Sequence, residues 1–550
     1  MLAREFVEDS LYNPRYGYFA TKVEIFDPDR ASPSPPPSSS SSSSSSAPSS
    51  SDAPPPPPPT LKDAKRAAGF DFPSFASTAA FEDEVARRYM VFEGRGTGTG
   101  EEGAEEGPAA GEKVGRQVWH TPTELFKPWY ARALARYILS QYLSPPPPSS
   151  SSPSLSSSPS SSPGGAGPSY PYDDLIIYEI GAGNGTLMGD ILDYIAQEAP
   201  EGVYERTRYR IVEISERLKG VQERRARGGG GGGGGRAGKG KEGEEAGEVV
   251  GGGDDVSEAV EQVRRRGHEG KVEVVRKSIF EWDRVVEEPC FFLAMEVLDN
   301  FPHDVIRYDT TTHEPLQTTI AIDSSGDFTE LFSPISDPLL ARYLSLRSLL
   351  PSASPYPPSG SVHPLLSRFP WLRKAWAAMP FAPNLSRPEF VPTRQLELLE
   401  VLRDKFPRHR VVMSDFSELP DAVEGECGPV VQTRYAGETV PCTTYLVQPG
   451  FFDIFFPTDF RTLSELYTLV MSQPSSSPSP SPSASSPSSS SPRLPANFFS
   501  AGAAGRPKRE LKVYTHAEFL DKWAEVDRTK VRDGSNPLLE SYQNARFVVS

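Results

Sequence analysis

Cysteine is scarce, with only Cys290, Cys427 and Cys442 in 550 residues. No two form a Cys-x-x-Cys pair, so neither a disulfide framework nor a cysteine zinc site is expected. Such usage suits a reducing compartment. No run of about 18 apolar residues occurs, so no membrane-spanning helix and no stable membrane insertion are expected. Positive charge is also short: the formal net charge is −16, which argues against general nucleic-acid binding. Part of the acidity lies in Glu-rich low-complexity stretches. Residues Met1 to Asp9 carry Glu5, Glu8 and Asp9 beside a single Arg4, unlike an acid-poor transit peptide. No targeting segment is visible. The first residues already read as folded domain, as they would in a chain that starts inside a longer precursor.

Five stretches have almost nothing to bury: 32–59, 94–115, 144–168, 228–253 and 472–495, all rich in Ser, Pro, Gly or Glu. They cannot offset the entropy of ordering, and are expected to be disordered insertions. About 400 residues remain, enough for one large α/β domain with additions or for two domains.

The most informative stretch is Tyr178-Glu179-Ile180-Gly181-Ala182-Gly183-Asn184-Gly185-Thr186. An apolar strand, 175–180, runs into alternate glycines. A helical pattern over 187–197 follows, with Leu187, Met188, Ile191, Leu192 and Ile195 on one face. Strand, glycine turn and helix form the ligand edge of a doubly wound sheet, and glycine lets backbone approach a ligand at positive φ. A dinucleotide fingerprint needs a sixth-position glycine, where Thr186 stands; a phosphate loop needs a lysine, which is absent. A nucleoside carried without pyrophosphate is left, and the G-x-G-x-G form resembles the first motif of class I methyltransferases, which bind S-adenosylmethionine.

Further strands are expected at 209–214, 272–275 and 291–298, alternating with helices, which predicts a parallel doubly wound sheet. Glu213 ends the second strand, where a carboxylate can accept both hydroxyls of a ribose or neighbour a helix start. Ser278 follows the third. Glu179, inside an apolar strand, needs a partner, either a ligand cation or Arg210. Glu296 and Asp299 end the fourth strand, where two carboxylates could orient a guanidinium; alternatively Asp299 caps a helix. His120 and His303 read as structural. Elsewhere, a helix over 2–12 buries Leu2, Phe6, Val7 and Leu11. Thr121, Pro122 and Glu124 form a helix start with capping-box spacing, before a bend or restart at Pro128. Thr393 reads as a cap, 410–414 as a strand before an Asp415-Phe416-Ser417 turn, 443–447 and 511–514 as strands, and Thr515 as a cap.

Linked motifs in fixed order carry a more specific likeness: Asn13-Pro14 with Tyr16-Gly17-Tyr18, Thr121 to Phe126, Glu179 to Thr186, Val212-Glu213-Ile214-Ser215, Glu296 to Pro302, and Asp453-Ile454 with Asp459-Phe460. The chain resembles the mitochondrial protein arginine methyltransferases that assist assembly of respiratory complex I, also called the mitochondrial dysfunction protein A family. It is most similar to a divergent plant-type branch, through Phe126-Lys127-Pro128-Trp129-Tyr130 and Phe455 to Phe460. The resemblance implies S-adenosyl-L-methionine as donor and symmetric dimethylation of an arginine on a complex I subunit in the mitochondrial matrix. It implies cofactor contacts from Thr121, Pro122, Glu124, Glu179, Gly181, Ala182, Gly183, Asn184, Gly185, Glu213 and Ser278, and acceptor chemistry at Glu296 and Asp299, with no metal.

Two departures stand out. Met295 occupies the position of the family's Asn before Glu296, and His120-Thr121-Pro122-Thr123-Glu124 has one residue more than the family's Thr-Ser-Pro-Glu. Two other function classes therefore stand beside the first, a non-catalytic assembly factor that keeps the fold and a small-molecule O- or N-methyltransferase. The expected architecture is a class I methyltransferase Rossmann-like α/β sheet with N-terminal helical and C-terminal additions. Its parts are an N-terminal segment (1–30), a mostly disordered insertion (31–115), a cofactor-closing helical segment (116–143), a disordered stretch (144–168), and the methyltransferase domain (169–550) with insertions at 228–270 and 472–495.

Overall fold

The computed structural model describes residues 1–29, 69–94, 117–144, 174–213, 263–264, 266–352, 364–380, 382–435, 438–474 and 509–550. The low-complexity stretches expected to be disordered lie, apart from their edges, outside the described residues, as do Ile214, Ser215 and the helix expected after them.

Seven strands form the central sheet: β1 Leu175–Ile180, β2 Thr207–Val212, β3 Val272–Val275, β4 Cys290–Met295, β5 His409–Phe416, β6 Lys512–Thr515 and β7 Ala545–Val549. Their order is β3-β2-β1-β4-β5-β7-β6. The first five are parallel; β7 runs antiparallel to β5 and β6. This is the doubly wound 3-2-1-4-5-6 order with one antiparallel strand slipped in before the last. Both faces are covered, as a parallel sheet requires. Leu175 and Ile177 pack with the helices Trp129–Tyr142 and Thr186–Glu198, while Ile176, Tyr178 and Ile180 pack with the helices Thr393–Lys405 and Phe460–Ser472 on the other side.

The structure corrects several sequence expectations. β2 stops at Val212, so Glu213 stands just beyond the strand rather than inside it. β4 stops at Met295 because Glu296 adopts φ 54° and turns the chain. No helix follows Asp299, which therefore caps nothing. Asp415 and Phe416 belong to β5, paired with Arg546 and Ala545, and do not form a turn. Residues 443–447 are not a strand: the Leu446 N–H donates to Thr444 Oγ1 and the Val447 N–H to the Tyr445 carbonyl, each two residues back, which curls the segment. The strand is the preceding Glu438–Cys442. Thr393 is the first helical residue rather than the cap, and its hydroxyl donates to Asp304 at 2.6 Å. Within 31–115, residues 78–94 form a helix, and Phe70, Phe72, Phe81 and Phe92 are buried in the core beside the glycine-turn helix.

Three smaller sheets position the site. An antiparallel sheet joins Glu389–Val391, Asp304–Tyr308, Pro315–Ile322 and Phe328–Pro334. A second joins Glu438–Cys442, Val430–Tyr435 and Asp453–Phe455. The N-terminal helix, Ala3–Tyr12, buries Phe6, Val7 and Leu11 with residues of both, so the chain's first residues are part of the fold around the cleft. A parallel pair, Val23–Ile25 with Gln117–Trp119, approaches the glycine turn.

Candidate active site

The glycines at the end of β1 each sit where a side chain is disfavoured: Gly181, Gly183 and Gly185 have φ of 68°, 52° and 75°. A Cβ on Gly183 would lie 2.5 Å from Ile25 Cδ1, so the N-terminal segment closes onto the turn at that point. Thr121 caps the short helix Pro122–Leu125, accepting from the Glu124 N–H at 3.2 Å, as its spacing predicts. The Glu124 carboxylate does not complete a capping box. It accepts from Asn184 Nδ2 at 3.1 Å, Thr186 Oγ1 at 2.7 Å and Lys127 Nζ at 3.1 Å. Glu124 thus fastens the glycine turn to the helical segment beside it.

A cleft of about 1570 Å³ opens over this turn. Thr121, Glu124, Glu179, Gly181, Ala182, Gly183, Asn184, Glu213, Ser278, Glu296 and Asp299 all line it. Pro122 is buried outside the lining, and Gly185 serves as the N-cap of the following helix. Ser278 caps a single turn after β3, accepting from the Phe280 N–H at 3.3 Å.

Glu179 is 3% exposed and accepts from Tyr209 Oη at 2.8 Å. Arg210 is not its partner. In register, Arg210 lies beside Tyr178 and so on the opposite face of the sheet from Glu179; it bonds Glu273 and Tyr178 Oη instead. Burial pushes the Glu179 carboxyl up to about 7, against the Tyr209 bond, with the Glu213 charge adding to the rise.

On the next strand, β4, the following turn is organised by Asp415 of β5. Its Oδ2 accepts the backbone N–H groups of Val297, Leu298 and Asp299 at 3.1, 2.7 and 3.1 Å, and its Oδ1 that of Phe416 at 2.8 Å. These bonds hold Glu296 in its left-handed conformation. Burial, then the Asp415 charge, raises the Glu296 carboxyl to about 8. Asp299 is pushed well above the usual carboxylate range by burial, then Asp415, then Glu296. Asp453, the first residue of its strand, is buried in the same lining and raised to about 7 by burial. Met295 Sδ lies 3.9 Å from Tyr130 Oη.

These carboxylates differ from other buried ones, which have cation partners. Asp190 has Arg266 at 2.6 Å, Asp304 has Arg4 at 2.5 Å, and Glu389 is paired with Arg347. Among the described residues, Glu179, Glu296, Asp299, Asp415 and Asp453 form no ion pair. Nor, among those residues, is any group of His, Cys, Asp and Glu arranged to hold a metal ion. His303 is buried, bonded to the Phe301 carbonyl at 2.7 Å, stacked on Phe456, and lowered to about 3 by burial, so it is a neutral structural side chain. His120 bonds Tyr542 Oη at 3.0 Å.

Residues 167–475 match the family described as "Putative S-adenosyl-L-methionine-dependent methyltransferase". The chain belongs to that family. S-adenosyl-L-methionine is therefore the cofactor of this methyltransferase, and the turn fits it: two positive-φ glycines, Gly181 and Gly183, a buried carboxylate without a cation and a second carboxylate past the neighbouring strand line one cleft. No curated protein matches the methyltransferase. Among solved structures, a Burkholderia thailandensis protein bound to S-adenosyl-homocysteine is similar at 14% identity and TM-score 0.35, over 64% of this chain and 63% of that one. A native structure of a protein from the same superfamily and organism is similar at 12% identity and TM-score 0.40, over 80% of this chain and 81% of that one.

Sequence reading missed Asp415, which it placed in a turn, and gave no role to Asp453 or Tyr12. Asp453 carried a signal: an acid beginning the otherwise apolar Asp453-Ile454-Phe455-Phe456.

Proposed function

We propose that this methyltransferase modifies an arginine of a protein substrate, with Glu296 and Asp299 receiving the guanidinium. The carrying observation is the set of buried carboxylates at the end of β4 that have no cation among the described residues. Leaving them unpaired is costly, and a guanidinium would offset the cost with charge-assisted, bidentate bonds.

When bound, S-adenosyl-L-methionine supplies a methyl group made electrophilic by its sulfonium charge. Glu213 accepts the ribose hydroxyls, and Glu179 offsets cationic charge beside the glycine turn, whose backbone approaches closely. Thr121, Ala182, Asn184 and Ser278 complete the lining, with Pro122 behind. Asp415 holds the 296–299 turn rigid, so the acceptor carboxylates are already oriented, which is the main requirement of an in-line displacement.

By its resemblance to the mitochondrial assembly methyltransferases, the acceptor is a respiratory complex I subunit, dimethylated symmetrically in the mitochondrial matrix. The test is mass spectrometry of complex I subunits incubated with the protein and S-adenosyl-L-methionine. Methylated arginine supports the reading; modification confined to metabolites assigns the cleft to small-molecule chemistry. Met295, in place of the resembled family's Asn and in contact with Tyr130, favours one second reading, a non-catalytic assembly factor. Cofactor binding without any transfer would support it.

A further inference from the structure

We propose that Asp453 and Asn300 extend the acceptor site beyond Glu296 and Asp299 and select a guanidinium over an ammonium. This rests on the reading of the cleft as arginine-accepting and extends it to a specificity determinant on a different part of the fold.

Asp453 is 6% exposed and lines the cleft. Its Oδ1 is buried and has no hydrogen-bond partner among the described residues, and the same holds for Oδ1 of Asn300. Two orphaned acceptors on residues that line one cleft lack a donor among the described residues. The two are held firmly. The Phe456 N–H donates to the Asp299 carbonyl at 2.8 Å, and the Phe456 ring stacks on His303 at 3.9 Å, which ties the Asp453 strand to the β4 turn. Asn300 Nδ2 donates to Asp299 Oδ1 at 3.0 Å, which leaves Asn300 Oδ1 as the free acceptor. Tyr12 Oη of the N-terminal helix donates to the Asn300 carbonyl at 3.0 Å, and burial, then the charges of Asp299 and Asp453, push the Tyr12 hydroxyl well above its usual range.

The acceptors therefore come from separate segments: Glu296 and Asp299 from the end of β4, Asn300 one residue on, and Asp453 from the three-stranded sheet. A guanidinium presents five N–H donors over a plane, whereas an ammonium presents three from one atom. The flat, wide donor set suits acceptors spread over two segments of the chain. Two of the cations lining the cleft are engaged elsewhere: Arg394 pairs with Glu8 and Glu397, and Lys277 with Asp283.

The experiment measures methyl transfer by the full chain to matched peptides carrying one arginine or one lysine, for wild type, Asp453→Asn, Asp453→Glu and Asn300→Ala. Asp453→Asn keeps the shape and removes a buried charge, and a thermal melt with cofactor titration confirms folding and an unchanged cofactor site. The expected result is a rise in KM for the arginine peptide of at least tenfold in Asp453→Asn and three- to tenfold in Asn300→Ala. Cofactor KM is unchanged, Asp453→Glu recovers part of the loss, and discrimination against lysine shrinks. An arginine KM within twofold of wild type in both Asp453→Asn and Asn300→Ala overturns this inference and leaves the arginine reading standing. Wild type that modifies no arginine peptide overturns both.

Discussion

Replacing Glu179 with Gln should stabilise the cofactor-free protein at alkaline pH and weaken its hold on S-adenosyl-L-methionine. Glu179 is buried without a cation, and its carboxyl is raised from 4.5 to about 7. A folded-state value above the unfolded one means that the fold is favoured with the group protonated. Its contribution is fully present below about 4.5 and is lost as pH rises through about 7. At roughly 1.4 kcal/mol per tenfold change in proton affinity, ionised Glu179 costs the empty fold about 3 kcal/mol at pH 8. Gln retains an oxygen to accept the Tyr209 bond and carries no charge. Chemical denaturation of both proteins should show equal stability near pH 4.5 and an advantage of about 2–3 kcal/mol to Glu179→Gln at pH 8. Saturating S-adenosyl-L-methionine should shrink that gap, because wild type then gains a cation that the variant cannot use. An advantage that does not vary with pH, or none at pH 8, would refute the reasoning.

Gly183→Val should abolish cofactor binding in calorimetry, since the added Cβ meets Ile25 at 2.5 Å and the backbone is left-handed. Glu124→Ala removes three bonds that hold the glycine turn and its flank; with charge-assisted bonds worth about 1.5–3 kcal/mol, cofactor affinity should fall by roughly ten- to a hundredfold. Asp415→Ala should lower transfer by more than about a hundredfold with cofactor affinity within about threefold, because it releases the 296–299 turn without touching the glycines. Acceptor KM should fall as pH is raised from 6 to 8.5, because Glu296, raised to about 8, binds a cation only once ionised; a flat profile would count against Glu296.

The central sheet was readable in the sequence because its signals are local. The 175–180 and 272–275 strands lie where their apolar runs put them, and Thr121 and Thr515 cap the helices expected after them. What was lost depends on distance along the chain. Asp415 serves N–H groups 116 to 118 residues away, which no spacing rule reaches. Glu179 was visible as an oddity, but its partner turned on strand register: Arg210 lies beside Tyr178, one residue off, and a one-residue step moves a side chain to the other face. The antiparallel sheets went unseen because strands such as Phe328–Pro334 are only partly buried and show no clean alternation. The helix at 78–94 was obscured by the low-complexity stretches on either side of it.

The proposed function requires one cleft to join a glycine-turn cofactor site to a carboxylate site for arginine. The most direct measurement is transfer of an isotopically labelled methyl group from S-adenosyl-L-methionine to a mixed set of arginine peptides, lysine peptides and small metabolites, with Glu296→Gln run alongside. The expected result is label in arginine alone, reduced at least a hundredfold in Glu296→Gln. Label in lysine or metabolites, or arginine labelling unchanged in Glu296→Gln, would contradict it.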